Sequence, residues 1–136
     1  MHKRLWHVAH YCRYISSDRE AIWTLHVTAL EAVGARAKGP AAQRFDSDFD
    51  HIETVYLGSG GEFLVGLLGD LIVSMGALKR VSRSVAEISR MRVHPQHWHR
   101  GYGQAVLHEL ETAASGLDYT ELWLDTLPIQ IAARNL

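Results

Sequence analysis

The sequence predicts a mixed α/β domain, a mostly antiparallel sheet flanked by helices. Two observations carry that prediction. Residues 62–79 form two apolar runs around Gly69-Asp70, the composition of a β-hairpin. Residues 85–125 then read as strand, glycine-bearing loop, amphipathic helix and strand, which adds a crossover to an antiparallel run. With 136 residues the chain is long enough for one hydrophobic core and too short for two, so residues 1–136 are read as a single domain.

Each element has its own warrant. Residues 11–15 read as a short strand. Ser17 followed by Glu20 matches a capping box, and behind it Ile22, Leu25, His26, Ala29, Leu30 and Val33 share one helical face. Gly34 supplies the stop, and Gly39-Pro40 marks residues 35–44 as a loop. A shorter helix is expected over residues 48–57, ended by Gly58-Ser59-Gly60-Gly61. The hairpin strands cover residues 62–68 and 71–79, and a third strand spans residues 85–93 before Pro95. Val106, Leu107, Leu110, Ala113 and Ala114 then recur at helical spacing up to Ser115, with Gly116 at the end. Residues 120–125 form a last strand with Leu122 and Leu124 on one face, and residues 129–136 look like the start of a further helix.

Composition excludes several classes. Fourteen Lys and Arg against fifteen Asp and Glu leave a net charge of −1, which gives no reason to expect nucleic acid or an anionic membrane as partner. The apolar stretch 63–78 is too short for a membrane span and is broken by the Gly69-Asp70 turn. The basic first residues lack the apolar run of a signal peptide. Cys12 is the single cysteine and has no internal partner, which fits a reducing cytoplasm.

The chemistry concentrates in Gly101 and Gly103. They bracket a helix start, where backbone N–H groups lack intrahelical partners and the dipole favours negative charge. Arg100 adds a fixed positive charge, so the loop has the makings of a phosphate cradle. Two nucleotide-binding readings use such a cradle. In the dinucleotide (Rossmann) reading, Asp125 would serve as the ribose-binding acid. That fingerprint, however, needs a small residue where Val106 stands and a strand running directly into Gly101.

The second reading rests on Ala-Glu-Ile-x-Arg-Met-x-Val-His-Pro, residues 86–95, followed by Arg-Gly-Tyr-Gly, residues 100–103. These motifs and the element order resemble the GNAT superfamily of acetyl-CoA-dependent N-acetyltransferases, over nearly the whole chain. The family's phosphate signature begins with Arg or Gln, and Trp98 stands in that place. The resemblance implies acetyl-CoA as cosubstrate and no metal. It places the pyrophosphate on the N–H groups of His99, Arg100, Gly101, Tyr102, Gly103 and Gln104, with Trp98 beside them in the cofactor site, and the pantetheine arm along Met91, Arg92 and Val93. The Met91 N–H would polarise the acetyl carbonyl, and Glu87 would be the general base that deprotonates an amine acceptor. Its alternative is a surface carboxylate paired with Arg90 or Arg92.

The remaining candidates have plainer readings. His94, His97 and His99 crowd one loop but lack the cysteine or carboxylate neighbours that would suggest zinc, and are read as a polar loop in which His97 or His99 adds partial positive charge. Cys12 is read as a small core residue, and Trp23 and Trp123 as packing residues.

The same family usually carries Asn-x-x-Ala-x-x-Leu-Tyr near its end. Gln130, Ala133 and Leu136 match the first three positions, which makes Gln130 a further cofactor-binding candidate, and the sequence stops where the tyrosine would come. The expectation is therefore a C-terminally incomplete GNAT fold whose strand at residues 120–125 presents an unpaired apolar edge, open to a second copy or another partner. Two functions follow: acetyl transfer to the primary amine of a small molecule or peptide, or a CoA-binding remnant without turnover.

Overall fold

A computed structural model describes residues 9–35 and 46–124 of the chain. Strand β1 (His10–Arg13) leads into helix α1 (Arg19–Ala32), followed by the short helix α2 (Ile52–Val55). Strands β2 (Glu62–Leu68), β3 (Leu71–Arg80) and β4 (Val85–Val93) precede helix α3 (Tyr102–Gly116) and strand β5 (Glu121–Leu124). One sheet holds all five strands in the order β1-β2-β3-β4-β5. The first four are antiparallel, and only β5 runs parallel to its neighbour β4. A doubly wound dinucleotide fold needs a mainly parallel sheet, so the Rossmann reading fails on topology.

Alternation along the strands separates two cores. Phe63, Val65, Met75 and Ala77 pack with Ile22 and Leu25 of α1. Leu78, Ala86 and Ile88 face the other way, onto Val106, Leu107, Leu110 and Ala114 of α3. Gly76 makes the close approach of α3 possible. A Cβ there would lie 2.6 Å from Val106 Cγ1 and 2.8 Å from Leu110 Cδ1. No helix among the described residues is long and apolar enough to cross a membrane.

Two local expectations fail, one to a competing local bond and one to tertiary contacts. The Ser17–Glu20 capping box is replaced by a 3₁₀ turn at Ser16–Asp18, in which the Asp18 carboxylate accepts the Ile15 N–H at 3.1 Å. The helix expected over residues 48–57 is broken into a turn at Ser47–Asp50, the four residues of α2, and a turn at Leu57–Ser59. Asp48 is drawn out of helical register by Tyr56 and Arg90, and Phe49 by the core. Cys12 is exposed, contrary to its reading as a core residue. It sits on the edge strand, while α1 covers β3 and β4. The loop expected over residues 35–44, Ala35 apart, and the helix expected over residues 129–136 lie outside the described residues, as do Asp125 and Gln130.

Candidate active site

The site starts from an irregularity in β4. Ala77 pairs with Ser89 and Met75 with Arg92, so Gly76 alone faces both Arg90 and Met91. This is a β-bulge with Arg90 in the left-handed region at φ 57°. Pairing with β5 stops at Ile88↔Leu124, and beyond it β4 has no strand on that edge among the described residues. His94 donates its N–H to Val73 O at 2.8 Å. Antiparallel alternation then turns the peptide groups of Val93 and Met91 toward the open edge. Two side chains cover the carbonyls there: Arg92 Nη1 donates to Met91 O and Trp98 Nε1 to Val93 O, each at 2.8 Å.

The glycine loop meets this edge. His94 Nδ1 accepts the Gln96 N–H at 3.1 Å in a tight turn, and the Trp98 N–H reaches Pro95 O at 3.3 Å. His99 and Gly101 take positive φ of 64° and 85°, and the first bond into α3 runs from Ala105 N–H to Gly101 O at 3.0 Å. The N–H groups of Gly101, Gly103 and Gln104 therefore have no acceptor within the helix. A Cβ on Gly103 would sit 3.9 Å from Val93 Cγ2, whereas one on Gly101 would meet nothing within 4 Å. The helix start thus abuts the open strand end and leaves space in front of Gly101. Arg100 is exposed and bonds His97 Nδ1 at 3.3 Å. Burial lowers the His97 pKa, and the charges of Arg100 and His94 lower it further. His97 is consequently a poor source of the positive charge expected of it; Arg100 supplies that charge.

Glu87 lies on the opposite face from Ala86 and Ile88, toward α1, between Lys79 of β3 and Trp123 of β5. It is half-buried, and its side chain makes no hydrogen bond or ion pair with another described residue. Arg90 points instead to two acids. Its Nη2 and Nε meet the two carboxylate oxygens of Asp48 at 2.6 and 3.0 Å, Nη1 meets Asp46 at 3.2 Å, and the guanidinium lies 4.9 Å above the Phe49 ring. Burial works against the Arg90 charge, but the Asp48 bonds outweigh it and hold the pKa above its ordinary value. Tyr56 donates its hydroxyl to Asp48 at 2.5 Å. Asp46 also bonds Nε2 of His26, a fully buried ring whose pKa is lowered to about 4, chiefly by burial and then by the charge of Arg92. None of Asp46, Asp48, His26 and Arg90 stood out in the sequence as a site residue. The Asp46-Ser47-Asp48 run leading into the helix expected over residues 48–57 was the available clue.

Beside this network opens a cleft of about 660 Å³ lined by Arg19, Glu20, Trp23, Asp46, Phe49 and Asp50. Trp23 is 38 % exposed and stands edge-on to Phe49, so it is a cleft wall as much as a packing residue. Trp123 is 46 % exposed on the edge strand, its indole bonded to Glu121 at 2.5 Å.

An open strand edge running into a glycine-capped helix start suits a ligand with an extended arm and an anionic group. The family model of the GNAT acetyltransferases matches residues 19–136, and the chain belongs to that family of acyltransferase enzymes. Solved structures agree on the fold. A GNAT-family acetyltransferase from Staphylococcus aureus superposes with a TM-score of 0.79 at 20% identity, over 93% of this chain and 78% of that one. An acetyltransferase from Streptococcus agalactiae gives 0.79 at 17% identity with the same coverage. A predicted acetyltransferase from Clostridium acetobutylicum, solved with acetyl-CoA, gives 0.74 at 10% identity over 93% of this chain and 86% of that one. No curated protein matches the sequence.

Proposed function

We propose that the chain transfers an acetyl group from acetyl-CoA to the primary amine of a small molecule or peptide, by direct attack in a ternary complex. The supporting observation is the juxtaposition of the open β4 edge at residues 91–93 with the start of α3, where Gly101 leaves room for an anion. Acetyl-CoA supplies an activated thioester. The N–H groups of His99, Arg100, Gly101, Tyr102, Gly103 and Gln104, with the Arg100 charge, hold the pyrophosphate. Trp98 spends both its N–H groups on Val93 and Pro95, so it contributes by fastening the loop. The Met91 and Val93 peptides face the pantetheine arm across the open edge, and Arg92 between them, paired back to β3, keeps them there.

The Met91 N–H donates to the carbonyl oxygen as negative charge develops there, a contribution of ~3 kcal/mol. Glu87 takes the proton from the acceptor ammonium, worth on the order of 10²–10⁴ in rate. The amine nitrogen then bonds the carbonyl carbon, the C–S bond breaks, and the second amine proton leaves with the sulfur as the CoA thiol. Because Glu87 faces α1, the acceptor enters from that side, where the Trp23–Phe49 cleft opens.

Calorimetric titration with acetyl-CoA tests the binding half. Saturable binding is expected, lost in Arg100→Glu. Thiol release tests the chemistry: it should depend on added amine and slow in Glu87→Gln. Binding without amine-dependent release would identify a CoA-binding remnant. A folded chain that binds no acetyl-CoA overturns the proposal.

A further inference from the structure

The bulge in β4 could be made by glycine, which adopts positive φ freely, yet an arginine occupies its left-handed position. A residue with a Cβ is disfavoured there, so the reason for it lies in the side chain. That side chain is only 17 % exposed and forks onto Asp48, touches Asp46 and stacks over Phe49. Its partners are themselves held, Asp46 by His26 of α1 and Asp48 by Tyr56 after α2. The backbone next to Met91 is thus tied to three other parts of the chain by a planar, bidentate group that a lysine cannot imitate. Two of those partners, Asp46 and Phe49, also line the cleft.

We propose that Arg90 is a positioning residue. Through Asp46 and Asp48 it holds the bulge so that the Met91 N–H faces the reacting carbonyl, and it couples that setting to the acceptor cleft. This role rests on the acetyl-transfer reading given above. It differs from the roles of Glu87 and Met91 because Arg90 touches neither substrate; it acts through the Met91 peptide. Asp46 is the shared element. A cationic amine in the cleft approaches a carboxylate already engaged by Arg90 and His26, so acceptor binding and bulge geometry influence each other.

Arg90→Gly keeps the left-handed backbone and deletes the clamp, which makes it the informative variant. Its kcat should fall on the order of 10²-fold, because a displacement of about 1 Å at the oxyanion donor is enough for that. The KM for acetyl-CoA should stay within about threefold, since the cradle on α3 is untouched. Arg90→Lys should fall in between, and Arg90→Gly combined with Asp48→Asn should cost no more than the worse single variant. Thermal unfolding of each variant separates lost fold from lost positioning. Arg90→Gly that is folded and retains kcat within about twofold of the parent overturns the inference.

Hydrogen exchange at the Arg92 amide, which faces β3 directly beside the bulge, gives a readout independent of turnover. Exchange should be faster in Arg90→Gly; an unchanged rate also overturns the inference. If the parent chain neither binds acetyl-CoA nor releases thiol, the acetyl-transfer reading has failed, and amide exchange still decides whether Arg90 holds the bulge.

Discussion

The two halves of β4 make different use of the same extended backbone. Residues 85–88 are paired on both edges, and Ala86 and Ile88 are buried at 0 and 2 % exposure beneath α3. Residues 89–93 are paired on one edge, interrupted by the bulge, and half-buried throughout. The first half gains its stability from apolar burial, which is non-directional and tolerant of small shifts. The second half is held by hydrogen bonds and ion pairs that fix orientation, and its open edge leaves main-chain groups available to a ligand. A strand anchored at one end by a dry core can carry an irregular, polar end that would not be stable alone.

The sharpest way to break this contrast is to weaken the dry half. Ile88→Ala should destabilise the domain by about 2–5 kcal/mol, measured by denaturant unfolding. A loss under about 1 kcal/mol would show that the α3 core is not what anchors β4.

The polar half should respond to pH where the dry half does not. His26 titrates at about 4 in the fold and near 6.5 when unfolded. A folded pKa below the unfolded one means that the unfolded chain binds the extra proton as pH falls. The His26 contribution is therefore complete above about pH 6.5 and is lost toward pH 4, by up to ~3 kcal/mol. Chemical denaturation across that range should show the slope, and His26→Asn should flatten it. An equal slope in the variant would assign the pH dependence to other groups.

Substitutions in the loop that meets the polar half should have smaller effects. Gly101→Ala has room for its methyl group but must adopt φ 85°, a cost of about 1–2 kcal/mol. Thermal unfolding would report that cost, and calorimetry should show weaker acetyl-CoA binding. The smallest effect is expected from Trp98→Phe, which removes the indole bond to Val93 O and should cost ~1 kcal/mol, leaving a fold of unchanged circular dichroism. An unaltered stability would mean that packing alone holds the loop to the strand.

Legibility in the sequence followed the range of the interactions. The hairpin and β4 were readable because alternation and the Gly69-Asp70 turn are local, and the observed strands Glu62–Leu68 and Val85–Val93 have the expected limits. The helix after Gly101 was readable from the spacing of Val106, Leu107 and Leu110. The helix expected over residues 48–57 was misread because an Asp at position 48 can serve a helix start or an arginine 42 residues away, and only the latter contact decides it. The exposure of Cys12 and Trp23 was likewise beyond local reading, since it depends on which strand lies at the edge and where α1 crosses the sheet.

By itself the sequence determined the order of elements, the apolar faces and the glycine-bracketed helix start, because periodicity and backbone freedom are properties of short segments. Its motifs were also enough to suggest the family. Only the tertiary structure decided that Arg90 and Met91 together face Gly76, that Asp46 and Asp48 hold that bulge, and that Trp98 closes on Val93. The first two join segments far apart in the chain and exist only once the sheet and its helices have packed; the third spans five residues but depends on how the loop folds back along β4.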